Sequence, residues 1–228
     1  MGDLMTKTST PDKGKLSTEL APFNAATLHL ASIDADWRQL VEQVGSCTHL
    51  PKPAREPYEA LIRAIAYQQL HAKAGDAILT KFTLLFGGSK FPSPSQILEA
   101  DFDALRACGF SGRKIETIRE IASGSLSGLV PGRRDADKMS DEDLISRLVT
   151  LKGIGRWTVE MFLIYTLERM DVLPADDFGV REGHRRLKSL PKALSAKEIA
   201  REGQRWNPYR TIAAWYLWRV PRDGSTKG

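Results

Sequence analysis

Cysteine is scarce in this chain, with only Cys47 and Cys108 in 228 residues. Two thiols cannot build a four-cysteine iron–sulfur or zinc cage, nor the disulfide framework of a small secreted domain. Histidine is scarce too, and His29, His49, His71 and His184 show no metal-ligand spacing. No apolar run approaches the ~20 residues of a membrane span. The polar stretch from Met1 to Thr18 lacks the apolar core of a secretion signal. The chain is therefore expected inside the cell, away from membranes. A Walker-type phosphate loop is absent, and spacing alone reveals no Ser-His-Asp or Cys-His arrangement. Runs of alternating strand residues are missing as well, which points to an all-α fold.

What is present is positive charge, unevenly spread. The chain carries a net +5, yet Arg181 to Arg222 contains eleven Lys/Arg against three Glu, leaving the remainder near −3. Such a basic third suits a polyanion, with nucleic acid as the leading partner, although a solvated basic surface gives the same count.

Residues 1–20 read as a disordered tail, and 21–228 as a helical domain. Leu28, Ile33, Trp37, Leu40 and Val41 suggest one helix over Ala25 to Val44. Ser46 to Pro57 is a connection, and Pro57 opens a helix whose core face is Tyr58, Leu61, Ile62, Ile65 and Ala66. Tyr67-Gln68-Gln69-Leu70-His71 lies at its end, before a helix closed by Gly87-Gly88. Ser93 and Gln96, like Ser195 and Glu198, have the form of capping boxes. Gly109 to Lys114 is a glycine-bracketed turn, Ser123 to Lys138 reads as a loop, and Asn207-Pro208 opens the last helix. About ten short helices are expected.

Two stretches stand out. Leu151-Lys152-Gly153-Ile154-Gly155-Arg156-Trp157-Thr158 reads as a tight hairpin between two helices. Glycine permits the positive-φ turn, and successive amides opening a helix form a cradle for phosphate. Twenty residues after Trp157, Asp176 and Asp177 sit in an apolar frame, Leu173-Pro174-Ala175 before and Phe178 after. An aspartate there is either a plain N-cap or a desolvated catalytic carboxylate, and the two roles are compatible. Trp157, Trp206, Trp215 and Trp218 crowd the same half. Tryptophans stack on extruded bases or fill cores, and Trp215 reads as core.

Taken together, the hairpin, Leu173-Pro174-Ala175-Asp176-Asp177, Tyr67-Gln68-Gln69-Leu70-His71 and Ala213-Ala214-Trp215-Tyr216-Leu217-Trp218 resemble the helix-hairpin-helix (HhH-GPD) DNA glycosylase superfamily, in the branch of DNA-3-methyladenine glycosylase II of the AlkA and yeast Mag type. The resemblance runs from about Tyr58 to Arg219. It implies two helical subdomains, about 21–55 with 175–228 and about 56–174, with the active site in the cleft between them. It also implies a monofunctional base excision repair enzyme, which flips alkylated purines such as 3-methyladenine and 7-methylguanine from double-stranded DNA and leaves an abasic site. Asp177 would be the catalytic carboxylate, with Asp176 open as a sharer. Lys152, Gly153, Ile154, Gly155, Arg156 and Thr158 would bind DNA, Leu70 and His71 would enter the stack and minor groove, and Gln69, Trp157 and Trp218 would line the pocket. No cofactor is implied beyond a monovalent cation at the hairpin, and the protein would be a monomer working with DNA in a bacterial cytoplasm or a nucleus. Bacterial relatives carry an added β-rich domain for which this chain leaves no room. Bifunctional members place a lysine where this chain has Trp157, so a Schiff-base step lacks its amine. The alternative is a non-catalytic DNA-binding protein of the same fold.

Overall fold

The computed structural model describes residues 21–68, 70 and 72–221. The expected tail, Gln69 and His71 lie outside the described residues. Among those described, the chain forms thirteen α-helices, one 3-10 turn and no strand. In order they are α1 (Ala21–Ile33), α2 (Ala35–Val44), α3 (Pro57–Tyr67), α4 (Ala72–Leu85), α5 (Pro94–Glu99), α6 (Phe102–Ala107) and α7 (Gly112–Leu126). There follow α8 (Arg133–Ala136), α9 (Asp141–Leu148), α10 (Arg156–Tyr165), α11 (Phe178–Leu187), α12 (Ala196–Glu202), the 3-10 turn Gly203–Trp206, and α13 (Arg210–Leu217).

Local chemistry sets most of the boundaries. Ser93 with Gln96 and Ser195 with Glu198 form reciprocal capping boxes, and the Ser140 hydroxyl accepts from the Asp143 amide. These bonds satisfy amides that a helix start leaves without partners. Three expectations need correction. The single helix over Ala25 to Val44 is two, because Asp34 turns extended and its carboxylate caps the Trp37 amide at 3.1 Å. The loop over Ser123 to Lys138 instead begins with the end of α7 and contains α8; Gly124 is buried there against Leu151 and Val130. The last helix starts at Arg210, not at Asn207-Pro208, since Asn207 is extended as residues before proline tend to be.

Buried apolar side chains fall into two clusters. One joins α3 to α10 through Leu61, Ile65, Phe82, Ile118, Leu148 and Phe162. The other joins α1, α2 and α11 to α13 through Leu30, Trp37, Val180, Trp206, Trp215 and Tyr216. Trp215 is thus a core residue, as its spacing suggested. Trp218 packs against both clusters and marks where they meet. In the second cluster α11 and α13 pass very close. A Cβ added at Gly183 would lie 2.1 Å from the Leu217 carbonyl oxygen.

Candidate active site

The hairpin is built as its glycines require. Gly153 has φ +85°, and a Cβ there would lie 2.1 Å from Thr117 Oγ1 of α7. Ile154 anchors the turn from inside, being only 5% exposed, so any contact it makes with DNA runs through its backbone. Gly155 caps α10 without a side-chain bond; its carbonyl accepts from the Thr158 amide at 3.0 Å, and the Arg156 and Trp157 amides before it have no intrahelical partner. These N–H groups form the positive end of the helix dipole, a natural cradle for phosphate.

The polar residues around the turn divide. Lys152 is exposed and pairs with Glu116 at 2.8 Å, a surface contact that a phosphate can displace. Arg156 reaches back to Glu142 with two 3.0 Å bonds and to Glu160 with a third, tying α9 to α10. Thr158 is buried, and its hydroxyl accepts from Gln68 Nε2 at 3.1 Å. Thr158 therefore builds the motif from within, whereas Arg156 stays exposed at the surface while bridging α9 and α10. Part of the basic third is paired within the protein as well. Arg181 pairs with Asp176, Arg186 with Glu182, Lys188 with Asp34 and Asp36, and Arg210 with Asp171.

Asp177 is delivered by a braced connection. Arg210 clamps Asp171 through two 2.8 Å bonds, and the Thr211 hydroxyl takes the Val172 amide at 3.1 Å. The chain then turns, with the Asp177 amide donating to Pro174 O at 3.0 Å. Asp177 is the N-cap of α11, its Oδ1 accepting from the Val180 amide at 2.8 Å. Two indoles complete its surroundings. Trp218 Nε1 donates to Oδ1 at 2.8 Å and Trp157 Nε1 to Oδ2 at 2.7 Å. An ionised carboxylate only accepts hydrogen bonds, and three N–H donors match that state. Asp176 differs: its side chain is 85% exposed and lies 3.6 Å from Arg181. The cap and the catalytic candidate are one residue, and the neighbouring carboxylate points to solvent.

On the Trp157 side of Asp177 lies a cavity of about 260 Å³ between α3 and α10, with Tyr67, Trp157, Met161 and Tyr165 in its wall and Arg55 and Arg63 beside them. Trp157, Met161 and Tyr165 are spaced i, i+4, i+8 along one face of α10. Tyr165 stacks on Trp218, ring planes 16° apart. Trp157 is still 38% exposed, and Leu70 is 41% exposed beyond the end of α3. A larger cavity of about 710 Å³ lies behind Trp157, but Glu142, Glu160, Asp171 and Asp176 line it, a poor match for a nucleic acid. The aromatic cavity has the better chemistry for a flat base.

Sequence reasoning missed Tyr67 and Tyr165 as walls of this cavity, and Glu160. The i, i+4, i+8 spacing from Trp157 to Tyr165 was the available signal. Glu160 is buried, and its carboxyl is pushed up chiefly by burial, with Asp176 and Asp177 adding to the effect and Arg156 opposing it.

Comparison with known proteins agrees with this geometry. A model of the HhH-GPD superfamily of base excision DNA repair proteins matches residues 62–208. DNA-3-methyladenine glycosylase 1 of Schizosaccharomyces pombe is 46% identical, over 86% of this chain and 87% of its own. The alkylbase DNA glycosidase-like protein mag2 of that yeast is 41% identical, over 88% and 94%. Among solved structures, the S. pombe 3-methyladenine DNA glycosylase in complex with abasic DNA matches with TM-score 0.79 at 46% identity, covering 86% of this chain and 95% of that one. A DNA-3-methyladenine glycosidase from Bacillus halodurans matches with TM-score 0.73 at 33% identity, covering 85% and 88%. By fold, by hairpin and by these matches, the chain belongs to the HhH-GPD superfamily of base excision DNA repair proteins.

Proposed function

We propose that this protein is a monofunctional DNA glycosylase that hydrolyses the N-glycosidic bond of alkylated purines, 3-methyladenine and 7-methylguanine, in double-stranded DNA. The observation that carries the reading is the fixed carboxylate of Asp177, held between the indoles of Trp157 and Trp218 beside an aromatic cavity. The base must leave the stack before its glycosidic bond can be reached, at a cost of a few kcal/mol. The hairpin amides grip a phosphate, with a monovalent cation at the turn carbonyls as part of the proposal, and Leu70 fills the gap.

A purine alkylated at N3 or N7 is cationic and already a good leaving group. Its electron-poor ring is attracted to the faces of Trp157 and Tyr165. The bond from C1′ to the base nitrogen breaks with both electrons going to the base. Positive charge develops on the sugar, and Asp177 supplies the opposing negative charge. A water oxygen bonds to C1′ and its proton passes to Asp177 and on to solvent. The products are the free base and an abasic site. Trp157 offers no amine for a lyase step, so the strand stays intact. The enzyme works as a monomer, wherever the cell keeps its DNA.

The test is release of free base from methylated DNA by the purified protein. Appearance of 3-methyladenine or 7-methylguanine with alkali-labile abasic sites and no borohydride-trapped adduct supports the reading. No release, with DNA still bound, would favour the non-catalytic binding protein.

A further inference from the structure

Lys114 stands where its own helix does not want it. It lies in the first turn of α7, N-capped by Ser111, at the positive end of the α7 dipole. Its half-buried ammonium is turned to the opposite end of another helix. Lys114 Nζ donates to Ala66 O at 3.1 Å and to Gln68 O at 2.9 Å, the last carbonyls of α3 and its cap. There the dipole is negative and a cation is favoured. Burial pushes the lysine down from its usual range.

That end of α3 leads straight to Leu70, whose amide bonds to Tyr67 O at 3.1 Å. Two further ties fix the same corner. Gln68 Nε2 donates to Thr158 of α10, and the Tyr67 hydroxyl donates to Asp76 of α4. One turn on from Lys114, Thr117 packs on Gly153 of the hairpin, and Glu116 bonds to Lys152. A single stretch of α7 thus touches both the segment before Leu70 and the turn that faces DNA.

We propose that Lys114 is a positioning residue for base extrusion: from α7 it holds the Ala66 and Gln68 carbonyls, presets the segment bearing Leu70, and fixes it relative to the hairpin. This rests on the glycosylase reading above. A preset wedge does not have to be ordered at the moment of insertion, so the benefit falls on the extrusion step. It should vanish where extrusion is already easy.

The experiment compares single-turnover base release from one alkylated purine in two duplexes. In one the lesion is paired, and in the other it faces an abasic position. Wild type, Lys114→Met, Lys114→Arg, Gln68→Met and Leu70→Ala are measured. Lys114→Met is expected to slow release from the paired duplex about tenfold or more, the scale of lost charge-assisted hydrogen bonds. On the unpaired lesion it stays within about twofold of wild type. Lys114→Arg retains most of the paired-duplex rate, and Gln68→Met shifts the same ratio in the same direction by less. Equal loss on both duplexes, or no loss on either, overturns the inference. If Lys114→Met fails to fold, Lys114→Gln, which removes the charge and the reach to both carbonyls, decides, and a ratio equal to that of wild type overturns it. Wild type without activity on either duplex overturns the glycosylase reading instead. An altered ratio in Leu70→Ala alone leaves that reading standing and refutes the role of Lys114.

Discussion

Gly183→Ala separates helix propensity from helix packing. Alanine inside a helix is favoured over glycine by roughly 0.5–1 kcal/mol, so α11 taken alone would gain stability. In the folded protein the new Cβ would sit 2.1 Å from Leu217 O and 2.7 Å from Leu217 C. The nearest atom is backbone, so relief requires the two helices to part by about 1 Å, and overpacking of this kind costs about 1–3 kcal/mol. The expected net is a loss of about 1–2 kcal/mol, or roughly 2–8 °C in Tm for a chain of this size. The functional loss should be larger. Asp177 caps α11 and Trp218 ends α13, and their 2.8 Å bond crosses the same contact. Misplacement of about 1 Å can cost 10²-fold in rate. Thermal unfolding and single-turnover base release on methylated DNA measure both. A Gly183→Ala protein as stable and as active as wild type would refute the reasoning.

Other perturbations give distinct outcomes. Trp157→Phe keeps a ring in the cavity but removes the donor to Asp177 Oδ2; base release should fall about 10- to 100-fold, with little change in KM. Gly155→Ala meets nothing within 4 Å and should lower stability by at most about 1 kcal/mol while weakening binding to undamaged duplex; Gly153→Ala, strained and clashing with Thr117, should lose both. His49 and His184 are buried, and burial pushes both below the ordinary 6.5. The unfolded chain therefore takes up their protons first on acidification: their contribution to stability is full above 6.5 and is lost as pH falls through 6.5 toward the folded values. Tm should drop between about pH 7.5 and about pH 5, since each tenfold difference in proton affinity between the unfolded and folded chain is worth about 1.4 kcal/mol of stability. His49→Asn with His184→Asn should flatten that slope; an unchanged slope in the double variant contradicts the sign.

Features written in a few adjacent residues could be read from the sequence. The serine caps, the hairpin glycines and Asp177 as both cap and candidate catalytic carboxylate depend on local spacing. Asp34 was hidden by the apolar residues around it, although aspartate is a favoured N-cap, and the chain breaks there. Gly124 and its serine neighbours read as loop because composition does not reveal that the glycine lets α7 pack on Leu151. Arg156 and Thr158 were expected at DNA from their place beside the hairpin, and nothing local in the sequence showed the protein partners they also have. Their partners, Glu142 and Gln68, come from helices that only the fold brings near. The indole bonds to Asp177 likewise join residues 20 and 41 positions apart. Lys114 read only as the end of a glycine-bracketed turn, and its partners on α3 come from the fold.

The most direct test of the central claim compares Asp177→Asn with Asp176→Asn, scoring base release from methylated DNA and binding to duplex containing an abasic-site analogue. Asparagine preserves size but removes the charge that opposes the developing cation on the sugar. Asp177→Asn should release base at least about 10³-fold more slowly while binding the analogue nearly as wild type. Asp176→Asn, exposed beside Arg181, should stay within a few fold of wild type. Full base release by Asp177→Asn, or loss of activity in Asp176→Asn alone, would contradict the account.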